Sequence, residues 1–130
     1  MALTMVKATF QPGSSLSSSV SFSSGRLIRI RTPAVWTPAN LTFRITSVDT
    51  AEYRPLHHRE GGEVMLNTVL PNTVIGIPSE VAEVLQDAFV KIHSGHAGQD
   101  IPQAALCEFE LMLYRGSGAT ATLLPAGIEA

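Results

Sequence analysis

The chain has 130 residues, a net charge of −2 and only 15% charged residues, which fits one domain with a core large enough to stand without staples. Charge is well below the roughly 25% of a typical soluble domain, so Ser, Thr, Asn and Gln must cover much of the surface. The weak net charge gives no electrostatic case for nucleic acid or an acidic membrane as partner, and the lone Cys107 excludes an intrachain disulfide.

Residues 1–24 differ from the rest. They carry one Lys and no apolar h-region, so a secretory leader is not expected, and no apolar run in the chain approaches the roughly 18 residues that span a bilayer. Leu3, Met5, Val6 and Phe10 dot the first ten positions, and a Ser/Gly-rich stretch from Pro12 to Ser19 follows. Such a stretch buries little by itself. Residues 1–19 are therefore read as an extended arm, which either adds an edge strand to its own sheet or lies across a neighbouring subunit.

A β-type period begins at Val20 and Phe22. Leu27 to Arg31 alternates, with Ile28 and Ile30 assigned to one face and Arg29 and Arg31 to the other. Pro33 and Pro38 bracket Trp36 in a connector, where Trp36 is expected to cap the end of the core. Leu41, Phe43 and Ile45 alternate with Thr42, Arg44 and Thr46 in the clearest half-buried strand. Val48-Asp49-Thr50 starts a turn. Strands are then expected over 53–60, around 64–69 and over 74–77, separated by Gly61-Gly62 and Pro71-Asn72.

Residues 79–88 form the one helical stretch, with Ser79 as N-cap and Val81, Val84, Leu85 and Ala88 at helical spacing. Phe89 to His93 reads as a strand, 94–99 as a loop, and 107–114 as a long alternating strand with Cys107 in its apolar register. Seven or eight strands at intervals of about ten residues, with one short helix, predict an all-β antiparallel two-sheet sandwich or jelly roll. The sandwich is placed at 20–115, with a tail over 116–130 that carries Leu123 and Leu124.

No catalytic, cofactor-binding or metal-binding residues are assigned. Neighbouring residues of an extended strand point to opposite faces, so His57 and His58 cannot both ligate one ion, and His93 with His96 lacks a third ligand. No Gly-x-Ser-x-Gly elbow or phosphate-binding Gly loop occurs. Function is assigned instead to the two ends, with Leu3, Met5, Val6, Phe10, Leu16, Leu123 and Leu124 as partner-binding residues.

The order of motifs from Ser24 to Arg115 resembles a family of small tailed-bacteriophage virion proteins. Ser24-Gly25-Arg26-Leu27-Ile28-Arg29-Ile30 matches their opening strand. Pro33-Ala34-Val35-Trp36-Thr37 and Leu41-Thr42-Phe43 follow, then Val90 to Gly95, Gln103 and the strand Cys107 to Tyr114. Val48 to Tyr53 departs from the tight Asp-Gly turn of the relatives. The resemblance implies a virion structural protein, first a capsid decoration or cement protein and second a tail or head–tail connector part. It implies major capsid protein or other virion proteins as partners and assembly in the host cytoplasm, and a homodimer or homotrimer is expected because repeated lattice sites favour symmetric oligomers. A carbohydrate-binding sandwich, using Trp36, Tyr53 or Tyr114, is the other reading.

Overall fold

The computed structural model describes residues 2–23, 25–46 and 52–115. In chain order the elements are β1 (Ala2–Phe10), β2 (Val20–Ser21), β3 (Gly25–Arg31), β4 (Ala39–Thr46), β5 (Arg54–Pro55), β6 (Met65–Val69), β7 (Val74–Gly76), α1 (Ser79–Leu85), β8 (Phe89–His96), β9 (Gln99–Asp100) and β10 (Cys107–Arg115). One sheet has the order β1-β10-β3-β7. The other has β2-β8-β4-β5, with β6 also on β4 and β9 on β8. The fold is the all-β antiparallel two-sheet sandwich that the alternation predicts.

The alternating residues meet between the sheets. Phe10, Leu27, Ile30, Phe109, Leu111 and Leu113 come from the first, and Leu41, Phe43, Val90 and Ile92 from the second. Each fully buried side chain of this size contributes about 1.5–3 kcal/mol. Trp36 closes one end of this core, as expected. It packs 4.7 Å from Phe109 and 5.4 Å from Phe10 between ring centroids, and its Nε1 donates to Val69 O at 3.0 Å.

Five local assignments change. Residues 2–10 are not a free arm: β1 pairs with β10 along its whole length, from Ala2 opposite Arg115 to Phe10 opposite Cys107. The edge-strand alternative is therefore the structure, and it places Ala8 and Phe10 in the core. In β3, a bulge opposite Met112 and Leu113 turns Leu27 and Ile30 inward together. Ile28, the extra residue, does not share a face with Ile30, because a bulge breaks the two-residue period. The helix ends early, at Leu85, and takes Pro78 rather than Ser79 as its N-cap, with no side-chain cap bond. Gln86 already has extended dihedrals and Asp87 has φ of 62°. The expected 53–60 strand is only Arg54–Pro55, and the 94–99 loop is a hairpin between β8 and β9.

The Ser-rich stretch is ordered by its own hydroxyls. Ser17 N donates to Ile92 O at 2.9 Å, and Ile92 N donates back to Ser17 Oγ at 2.9 Å. Ser94 N donates to Ser15 O at 2.7 Å, and Leu16 bridges to His93. Serines that bury little apolar surface here close the edge of β8 by supplying polar partners.

Candidate functional site

Two regions hold the chemistry of the described residues. The first is a polar cluster around the buried His93 of β8, with Asp100 on its exposed side. His93 is 2% exposed, and its Nε2 lies 2.7 Å from Asp100 Oδ1. Its Nδ1 lies 3.0 Å from Thr42 Oγ1. The order carboxylate, imidazole, hydroxyl is that of a hydrolytic triad. A nucleophile must also meet a substrate, and Thr42 is fully buried with its hydroxyl donating to Gly95 O at 3.1 Å. The geometry makes the cluster a staple joining β4, β8 and β9.

Gln103 extends this polar layer. Its Oε1 accepts from Thr37 N at 2.8 Å, and its Nε2 donates to Thr37 O and to Ser94 Oγ, each at 3.1 Å. Its backbone N donates to Ser14 O at 3.0 Å. A side chain 1% exposed thus satisfies itself while tying three loops together. Cys107 lies beside it, with Sγ donating to Val35 O at 2.8 Å. Burial pushes the Cys107 thiol up from its ordinary value.

His57 and His58 are both exposed, in a cleft of about 330 Å³ with Glu60, Glu80, Val81 and Val84. His96 Nε2 faces Gln99 Oε1 at 2.8 Å rather than His93. Among the described residues no group of three or more His, Cys, Asp or Glu converges where it could hold a metal ion. No helix among them is long and apolar enough to cross a membrane.

The second region is the outer face of the four-stranded sheet. The strand registers place side chains there in rows: Leu3, Tyr114 and Arg26; then Met5, Met112, Arg29 and Gly76; then Lys7, Glu110, Arg31 and Val74. Leu3 is 53% exposed, Met5 49% and Val74 60%. Gly76 puts no side chain on the face. A hollow of about 380 Å³ opens there, lined by Met5, Met112, Val74, Arg29, Arg31 and Glu110. Arg31 is paired with Glu110 and Lys7 with Glu108, each at 3.3 Å. Among the described residues Arg26 and Arg29 have no carboxylate partner, so an apolar stripe lies beside two arginines that no described carboxylate pairs.

The residues singled out in the sequence are divided by the fold. Leu3 and Met5 lie open on this face. Val6 points the other way and packs against the core, and Phe10 is fully buried within it. Leu16 is half-buried against β8. Phe10 is fully buried in the core and Val6 is half-buried against it, because odd and even positions of one strand face opposite ways. Leu123 and Leu124 lie outside the described residues. Met112, Tyr114, Val74 and Arg29 complete the face and were not singled out as partner-binding; only the register of β10 against β1 and β3 brings them together. Trp36, offered as a sugar platform, is 5% exposed. No protein-family model, curated protein or solved structure matches the chain.

Proposed function

We propose that the chain is a structural protein of a tailed-phage particle, a capsid decoration protein that binds across adjacent major capsid subunits. The observation that carries this reading is the open apolar stripe of Leu3, Met5, Met112 and Tyr114 on the outer face of the first sheet. An exposed apolar stripe on a lightly charged surface loses little charge hydration when pressed against another protein. The order of motifs over 24–115 supports the virion as its setting, with a tail or connector position as the alternative. Arg26 and Arg29 beside the stripe favour a partner surface that is apolar with an acidic fringe.

The test is co-sedimentation of the purified chain with shells assembled from major capsid protein alone. Wild type is expected to pellet with the shells. The Leu3→Ser/Tyr114→Ser double variant, folded by circular dichroism, is expected to stay in the supernatant. A wild-type chain that never pellets, or a variant that pellets equally, overturns the reading.

A further inference from the structure

The edges of the two sheets are unequal. β2, β5 and β9 have two residues each and β7 has three, all too short to template a partner strand. The outer side of β6 is broken by a register shift against β4 and by Thr68, whose φ is 44°. Ser15 and Ser17 close β8. β1 alone among these is long: nine residues with no proline and no register shift against β10.

The direction of its free groups is fixed by one contact. Thr9 N donates to Ser18 Oγ at 3.0 Å, and Thr9 O accepts from Ser18 N at 2.9 Å. Thr9 therefore points its backbone away from β10. A strand alternates, so Leu3, Met5 and Lys7 do the same. None of the three has an outward backbone partner among the described residues. Ser18 blocks the edge at Thr9, which leaves, among the described residues, a short unpaired window centred on Met5.

We propose that this window pairs with the same window of a second copy, antiparallel about a two-fold axis through Met5. Each outward residue then meets an outward residue: Met5 opposite Met5 of the second copy, and Leu3 opposite Lys7 in both directions. Three such hydrogen-bonded pairs give about six backbone hydrogen bonds. The register is self-complementary, as an isologous contact must be. It stops short of Ser18, so that loop does not obstruct it. Two four-stranded sheets become one continuous sheet. On its outer face Met112 and Met5 run on into the same pair of the second copy, and soft methionines pack well against their own kind. The Leu3 side chain lies along the aliphatic stem of Lys7, whose ammonium stays with Glu108. Dimerisation through β1 requires no capsid and stands apart from the virion reading.

Sedimentation velocity over a concentration series, with two variants, tests this. Wild type is expected to show a monomer–dimer equilibrium. Met5→Pro removes only an outward N–H, a change an edge strand tolerates, and should lose the dimer while keeping its circular dichroism spectrum. If that variant misfolds, Met5→Cys decides: paired residues of this kind have Cα atoms about 5.5 Å apart, within disulfide reach. Mild oxidation should convert Met5→Cys to a covalent dimer and leave the helix-surface control Glu83→Cys monomeric. A wild type that stays monomeric overturns the proposal. So does a folded Met5→Pro that still dimerises, or a Met5→Cys that links no better than the control. An edge protected from hydrogen exchange only when shells are present also overturns it, since the occupant would then be capsid protein.

Discussion

Gln103 and Thr37 are joined as two strands would be: Thr37 N donates to the Gln103 side-chain oxygen at 2.8 Å, and the Gln103 amide donates back to Thr37 O at 3.1 Å. A carboxamide has one acceptor and one donor side, so it can stand in for a peptide group. It does so where Pro33 and Pro38 prevent the connector from pairing with a real strand.

Gln103→Leu keeps the volume and removes both bonds. Thr37 N and the Ser94 hydroxyl then lose buried partners, each at about 1–3 kcal/mol. A loss of about 2–4 kcal/mol is expected in urea unfolding, with the slope unchanged.

Gly95 has φ of 113°, and a Cβ placed on it would stand 2.2 Å from Gln99 O. Gly95→Ala is strained by conformation and by a backbone collision together, and should destabilise by at least about 1–3 kcal/mol. The β8–β9 hairpin should open first, seen as faster amide exchange at Gln99 and Ile101. Gly62→Ala, with open space around it, should change stability by no more than about 0.5 kcal/mol.

A sandwich that began at residue 20 would survive loss of everything before it. In the structure, deleting residues 2–10 strips β10 of one of its two partner strands and removes Ala8 and Phe10 from the core. That deletion is expected to abolish the cooperative thermal transition. Phe10→Ala alone should cost about 3–5 kcal/mol, while the exposed Leu3→Ser should stay within about 0.5 kcal/mol. Guanidinium melts separate the two.

Burial raises the Cys107 thiol above its ordinary value of 9.0. The fold favours the neutral thiol, so this contribution is complete below the unfolded value and is lost as pH rises through the folded one. Unfolding free energy should therefore decline from about pH 9 upward, less steeply in Cys107→Ala. A thiol-specific chromogenic disulfide should label the native protein far more slowly than the urea-unfolded chain.

The strands that carry the core were legible because Leu41, Phe43 and Ile45, and Phe109, Leu111 and Leu113, keep strict alternation. Three things were not. The bulge at Ile28 depends on β10, roughly eighty residues away along the chain, and leaves no local mark. The Ser15–Ser17 segment looks flexible by composition, yet its hydroxyls and backbone are claimed by Ser94 and Ile92. The outer face was half visible. Leu3 and Met5 stand out among the apolar positions of the arm, but Met112 and Tyr114 look like the outward half of an ordinary strand until the register sets them alongside.

The pairing of β1 with β10 bears on how the chain is made. The first strand leaves the ribosome roughly a hundred residues before its partner. At about 5–20 residues per second it waits on the order of 5–20 s with both edges bare. The sandwich cannot close until β10 has been made, so its folding is slow by topology. For that interval Leu3 to Phe10 is an apolar-dotted stretch without its partner strand, open to a chaperone.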